Sequence, residues 1–163
     1  MKNILLIIFI TVLSACSSAD NGVYTKSTFV ENGLKKNKPK SWKEVDNQGS
    51  DYALLNTKSD SFFVFNSACR KFDPSNLPTL TNSILSGIND VEIINKTNTE
   101  HQGREAVLVT AKGSMDGISR HFRILTTQKN NCIYDYALIS VDAKTLEADT
   151  PDFNSFTQQL KLN

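Results

Sequence analysis

The segment from Cys132 to Val141 constrains the fold more than any other part of the sequence. Tyr134 and Tyr136 alternate with Ala137 and Ile139, so that both faces of a strand here would be apolar. A strand of this kind lies inside a sheet that is covered on both sides. The sequence therefore predicts a central strand with helices packed on the sheet.

The first predicted helix begins near residue 76. Ser75 or Asn76 can cap its amino end, and Pro78 fits its first turn. Its buried stripe follows the i, i+3, i+7, i+8, i+11 spacing of a helix and consists of Leu77, Leu80, Ile84, Leu85 and Ile88.

The second predicted helix lies near the carboxyl end of the chain. Thr150 is placed to cap it, Pro151 to occupy its first position, and Asp152 to interact with the positive end of the helix. Phe153, Phe156 and Leu160 then form its buried stripe.

A tight hairpin is predicted around Asp116-Gly117, because Asp-Gly favours the turn that joins two antiparallel strands. Its strands are 105–111 and 118–127, and either Met115 faces Ile118 or Ser114 faces Gly117. Both registers place Val107, Val109, Phe122 and Ile124 on one core face. With further strands at 52–57, 62–66, 91–94 and 132–141, the fold class is α+β with a mostly antiparallel sheet.

The amino terminus is typical of an export signal. A short apolar run follows Lys2, too short for a membrane span, and ends in small residues. The tetrapeptide that closes it, Leu13-Ser14-Ala15-Cys16, resembles the lipobox of bacterial lipoproteins. This resemblance implies cleavage before Cys16 and a covalent lipid on that residue, whereas the alternative is a plain secretory signal. The predicted organisation is a signal peptide (1–15), a lipidated polar tether (16–40) and a globular domain (41–163).

The lipid would place the protein in the cell envelope. Two or three acyl chains hold a protein firmly at a membrane, while one does not. Ser17 follows the cysteine, and by resemblance to Gram-negative lipoproteins a residue other than Asp there implies the outer membrane, facing the periplasm. The five lysines between Lys35 and Lys43 would then contact anionic headgroups or belong to a solvated linker.

Cys69 and Cys132 form an even pair in an exported chain, which predicts a disulfide. Two separate buried thiols are the alternative. A redox-active pair is disfavoured because the Cys-x-x-Cys spacing is absent from the sequence.

Composition and charge exclude several classes of function. The net charge is +1, and the region from Glu44 onward has 11 basic and 15 acidic residues, which argues against nucleic-acid binding. No metal site is predicted because His101 and His121 are the only histidines and the hairpin does not bring them together.

Two weaker chemical possibilities remain at this stage. A hydrolase built on His121 with Asp116 or Asp135 stays open, although no Gly-x-Ser-x-Gly motif occurs. Asp135 interrupts an otherwise apolar strand, and a buried charge must be paired. It therefore belongs to an internal Arg–Asp pair, to an edge position, or to a polar patch for an anionic ligand, formed by Arg104, Arg120, Arg123 and Asp135.

Several short motifs resemble the PsbP-like group, which includes DcrB-type envelope lipoproteins. They are Gly103-Arg104-Glu105-Ala106, Met115-Asp116-Gly117, Cys132-Ile133-Tyr134-Asp135 and Pro151-Asp152-Phe153 followed by Phe156. The resemblance spans roughly residues 42–162. It implies an α/β/α sandwich with a central antiparallel sheet, binding or assembly roles, and no general catalytic residues.

These observations together predict a lipid-anchored envelope module that binds or assembles with an envelope protein and has no catalytic activity. A periplasmic small-ligand carrier or sensor is the first alternative, and an undetected hydrolase is the second. Apart from the lipid on Cys16, no cofactor is expected.

Overall fold

The computed structural model describes residues 29–30, 32–46, 49–69 and 76–162. The signal peptide, the lipobox and Cys16 therefore lie outside the described residues, as does most of the predicted tether. Within the described ranges, no helix has both the length and the hydrophobicity needed to cross a membrane.

Seven strands form one antiparallel sheet in the order β2-β3-β4-β8-β7-β6-β5, and β1 pairs separately with β9. This confirms the predicted α+β class. The elements in chain order are β1 (Phe29–Val30), α1 (Asn32–Asn37), β2 (Trp42–Glu44), β3 (Tyr52–Asn56), β4 (Phe62–Cys69), α2 (Leu77–Leu85), β5 (Asn89–His101), β6 (Arg104–Met115), β7 (Ile118–Lys129), β8 (Cys132–Ser140), α3 (Ala143–Gln159) and β9 (Lys161–Leu162).

Three two-residue turns build the meander from β5 to β8. They are Gln102-Gly103, Asp116-Gly117 and Asn130-Asn131, and all six residues have positive φ, as type I′ turns require. In the middle hairpin Met115 faces Ile118, which is the first of the two predicted registers.

The strand β8 lies between β4 and β7, inside the sheet as predicted. One side of the sheet, called here the aromatic face, packs Phe63, Phe65 and Tyr136 against α3 and Leu34 of α1. The other side, called the aliphatic face, packs a smaller set against α2: Val107, Val109, Ala111, Phe122 and Ile124. The four residues predicted to share one core face do so.

The helix α2 begins as predicted. Asn76 caps it, with its side-chain Oδ1 accepting a hydrogen bond from Thr79 N at 3.0 Å, and Pro78 lies in the first turn. It ends at Leu85, one turn before the predicted last apolar position at Ile88.

The predicted start of the last helix at Thr150 is wrong. The helix α3 begins two turns earlier, where Asp142 caps it and accepts a hydrogen bond from Thr145 N at 2.7 Å. Pro151 therefore lies inside the helix, although it lacks an N–H and cannot donate within the helix. The predicted stripe of Phe153, Phe156 and Leu160 is buried.

The folded part begins before residue 41, where the sequence analysis expected a tether. Phe29 of β1 pairs with Leu162 of β9, and Leu34 of α1 is fully buried in the core. Residues 29–30 and 32–40 thus belong to the folded body rather than to the polar linker.

Candidate functional site

The two body cysteines form the predicted disulfide. Cys69 ends β4 and Cys132 begins β8, and the two are direct cross-strand partners with Cα atoms 3.9 Å apart. The bond covalently joins two neighbouring strands at one end of the sheet.

The predicted polar patch is not formed as one surface. Arg120 lies on the aliphatic face opposite Gly113, whereas Arg123 lies on the aromatic face between Thr110 and Leu138. Arg120 lies six positions before Thr126, the partner of Asp135, and this offset is about 20 Å along a strand. Asp135 pairs with neither arginine within the described part of the chain.

The two histidines lie at opposite ends of the sheet. His101 is paired with Arg104 beside one turn, and His121 is paired with Lys112 near the other end. No group of three metal-ligating side chains occurs within the residues that the structure describes.

His101 is buried, with 2% of its surface exposed. Its ring meets the Tyr136 ring edge-on with centroids 5.2 Å apart, and its Nε2 lies 3.2 Å from Nε2 of Gln102. Burial lowers the pKa of His101 to about 4, and the charge of Lys161 adds to this effect. No apolar period marks residues 95–101, so the sequence carried no signal for this burial.

Among the residues that the structure describes, no hydrolytic triad forms around His121. Asp135 is on the opposite face of the sheet, and Asp116 is in the hairpin turn. The hydroxyl directly across from His121 belongs to Ser140, which is fully buried and hydrogen-bonded to Ser61 Oγ at 2.9 Å. That hydroxyl is therefore not accessible to a substrate.

A cavity of about 880 Å³ lies on the aliphatic face, at the amino end of α2. The helix contributes Leu77 and Pro78, and the turn beside it contributes Gly103 and Arg104. The strands contribute the remaining lining residues, which are Asn98, Thr99, Glu105, Ala106, Val107 and Gln128, while Asn76 completes the set. The cavity thus joins apolar walls to amide and charged groups.

A row of paired residues runs across the sheet from this cavity. Asn98 faces Val107, Val107 faces Thr126, Thr126 faces Asp135, and Asp135 faces Asn66. Of the predicted patch, Arg104 lines the cavity and Asp135 lies two strands beyond Val107. Arg104 is therefore the residue of the predicted patch that contributes to the candidate site.

Asp135 is the electrostatic exception on this face. Its Oδ1 is buried, and neither it nor Thr126 Oγ1 has a hydrogen-bond partner among the described residues. Burial raises the pKa of Asp135 to about 7, and the nearby Thr126 hydroxyl offsets only part of that rise. A large share of the carboxyl group therefore stays protonated near neutral pH, which lessens the need for an arginine partner.

The strand β5 borders the cavity and forms one edge of the described sheet. Its residues from Asn89 to Glu100 are all exposed. The sequence predicts a strand only over 91–94, because the later residues are polar and show no alternation. The edge strand β5 and the cavity are thus adjacent to each other.

The comparisons with known proteins bear on this architecture. No family model and no curated protein matches the sequence. Among solved structures, a protein of unknown function from Pseudomonas aeruginosa, PA94, is 10% identical with a TM-score of 0.53, and the match covers 85% of each chain.

Cyanobacterial PsbP (CyanoP) from Synechocystis sp. PCC 6803 is 13% identical with a TM-score of 0.54. That match covers 77% of this chain and 84% of CyanoP. At these identities the likeness concerns the fold alone. The architecture of the chain, an antiparallel sheet with helices on both faces, is the PsbP-like fold.

Proposed function

We propose that the protein is a lipid-anchored binding module of the cell envelope, held at the outer membrane and facing the periplasm, which engages an envelope protein without catalysis. The lipobox ending at Cys16 supports the anchoring, and the disulfide supports an oxidising compartment. The binding role rests on one observation, the cavity beside α2.

The chemistry of the cavity fits a short peptide segment with both apolar and polar side chains. Leu77, Pro78 and Val107 offer apolar contacts, while Arg104 and Glu105 place opposite charges at adjacent positions of the lining. Six of the eleven lining residues are polar or charged, so a partner with polar as well as apolar side chains suits the site. The hydroxyl across from His121, that of Ser140, is buried and hydrogen-bonded to Ser61, which supports binding rather than turnover.

Site-specific photo-crosslinking tests this proposal. A photoreactive phenylalanine analogue replaces Pro78 in the cavity wall, and the control replaces Glu147, which is exposed on α3 at the opposite face. We expect an adduct with one envelope protein from position 78 and none from position 147. The adduct should be lost in Cys16→Ser, since tethering raises the effective concentration of the two proteins.

Equal adducts from both positions, or none from either, would contradict a binding role for the cavity. Ester, phosphate and peptide hydrolysis should stay undetectable with the full chain. Turnover that disappears in His121→Ala with folding intact would instead favour the hydrolase alternative.

The volume of the cavity favours a second candidate function, that of a small-ligand carrier or sensor. About 880 Å³ is within the range of small-molecule sites. Native mass spectrometry of the protein released from membranes would then show a bound molecule. Val107→Trp should displace it by filling the cavity, while Ile118→Trp, at an exposed position of β7, should retain it.

A further inference from the structure

The second half of β5 is a regular strand edge. Pairing with β6 is continuous from Asn95 to His101, whereas register shifts occur between Asn89 and Glu92 and between Ile93 and Asn95. Asp90 also has a positive φ of 51°. Because bulges disturb the first half and twist it, only the residues from Asn95 onward present an edge that another strand can follow.

The register with β6 determines which main-chain groups of this edge are available. His101 and Arg104 flank a two-residue turn, and such residues exchange both hydrogen bonds. Hydrogen-bonded and non-hydrogen-bonded pairs then alternate along the hairpin. The main-chain N–H and C=O groups of Lys96, Asn98 and Glu100 consequently point away from β6.

We propose that β5 pairs with β5 of a second copy of this chain, antiparallel and centred on Asn98. Lys96 then faces Glu100 of the second copy, Asn98 faces its own equivalent, and Glu100 faces Lys96. All three are residues whose main-chain groups point outward, so each pair exchanges two hydrogen bonds. Between these pairs, Thr97 of one copy faces Thr99 of the other, and Thr–Thr pairs across two strands stabilise a sheet.

Charge complementarity selects this partner and this register. Glu100 lies opposite Glu105 in the same chain, and like charges opposite each other destabilise a sheet. Neither carboxylate forms an ion pair within the described residues. The ion pair that β5 does make there joins Glu92 to Lys112 at 2.8 Å. Lys96 of the second copy supplies the missing cation.

Neighbouring registers lack this property. A slip of β5 by two residues in either direction keeps the outward main-chain groups matched. One such slip brings Lys96 opposite Asn98, and the other brings Glu100 opposite Asn98, so the Lys96–Glu100 pair is lost in both. A slip of four residues brings Lys96 opposite Lys96 or Glu100 opposite Glu100. In the monomer Lys96 donates a hydrogen bond to Asn82 Oδ1 at 3.0 Å and has no carboxylate partner among the described residues. The proposed register is therefore the one that neutralises both charges.

The pairing joins the two seven-stranded sheets into one, with a two-fold axis perpendicular to the sheet. The axis passes between the two Asn98 residues, which also line the two cavities. Both cavities then lie on the same side of the joined sheet and flank the axis. The dimer would therefore present two identical cavities on one surface.

Cysteine crosslinking in membranes tests the register with the full chain. Two differently tagged copies are expressed together, one carrying Thr97→Cys and the other Thr99→Cys. Facing residues of a non-hydrogen-bonded pair have Cα atoms about 4.5 Å apart, within the span of a disulfide. We expect an oxidised heterodimer from this mixture and little product from two Thr97→Cys copies. Equal yields from both mixtures, or no dimer from either, would overturn the proposal.

Charge reversal provides an independent measurement. Glu100→Lys and Lys96→Glu should each lower the crosslinking yield about tenfold, and the two substitutions in one chain should restore it. Glu147→Lys on α3 is the matched control and should leave the yield unchanged. Thermal unfolding of each variant verifies the fold. Failure of the double variant to recover, or a crosslinked product with a different protein in place of the dimer, would exclude self-pairing.

Discussion

Trp42 and Asp152 are 110 residues apart in sequence, and Trp42 Nε1 donates a hydrogen bond to Asp152 Oδ2 at 2.7 Å. The indole is 1% exposed and meets the Phe156 ring edge-on with centroids 5.1 Å apart. This pair connects the short edge strand β2 to α3. It positions the helix that covers the aromatic face.

Removal of this hydrogen bond should destabilise the fold. Trp42→Phe keeps an aromatic ring but leaves the Asp152 carboxylate without its donor, and we expect a loss of roughly 1–3 kcal/mol in the free energy of unfolding. Urea denaturation measures the loss. In an Asp152→Ala background the same substitution should cost less, since the pair is coupled; additive losses would show that the two residues act separately.

The pH dependence of stability should contain two opposing contributions. For His101, whose pKa falls from 6.5 to about 4 on folding, the unfolded chain binds the additional proton between these values. Stability from this group is therefore lost as the pH falls from about 6.5 towards 4. For Asp135, whose pKa rises from 3.8 to about 7, the folded chain binds the additional proton. That contribution is lost as the pH rises from about 4 towards 7.

Two variants separate these contributions. Asp135→Asn should make stability fall more steeply on acidification between pH 6.5 and 4 than in the wild type, and it should raise the melting temperature at pH 8. His101→Gln should instead make stability fall more steeply as the pH rises towards 7. Melting temperatures across this range, compared with the wild type, give both slopes. Parallel curves for all three proteins would contradict the assignment.

Reduction of the Cys69–Cys132 bond should lower the stability of the body substantially. The bridge closes a loop with a sequence separation of 63 residues, for which the chain-entropy model gives roughly 4 kcal/mol before any strain is subtracted. Denaturation with and without reductant measures the difference. A variant with both cysteines replaced by alanine should be insensitive to reductant, which controls for other effects of the reagent.

Membrane attachment should depend on Cys16 alone among the three cysteines. Metabolic labelling with radioactive palmitate is expected to mark the wild type and Cys69→Ser, and to leave Cys16→Ser unlabelled and mislocalised. An unlabelled wild type would rule out the lipoprotein assignment. The two body cysteines are consumed by their own bond, which makes Cys69→Ser a suitable control.

The central part of the fold followed from local patterns. The apolar faces of β8 and the Asp116-Gly117 turn each predict one structure, because burial on both sides and positive φ are strong constraints. In the structure, two further type I′ turns, at Gln102-Gly103 and Asn130-Asn131, place four consecutive strands in order. The position of α2 followed from the periodicity of its apolar residues and from its Asn76 cap.

Other elements depended on tertiary contacts that no local pattern encodes. Pro151 resembled a helix start, but the Asp142 cap and the buried contacts of Asp149 with Asn56 and Ser59 extend α3 towards its amino end. The polar half of β5 is exposed, so its strand structure comes from β6 and not from burial. The candidate cavity arises from the placement of α2 against β5, β6 and β7, which sequence spacing alone does not specify.

The disulfide has a consequence for proteolytic damage in the envelope. All of α2 and the strands β5, β6 and β7 lie between Cys69 and Cys132. The same segment includes the turns at Gln102-Gly103 and Asp116-Gly117, of which the second is exposed. A single cut at either turn would produce two fragments that remain covalently joined. A nicked molecule would thus keep its amino-terminal and carboxyl-terminal parts together, and it would separate on a gel only after reduction.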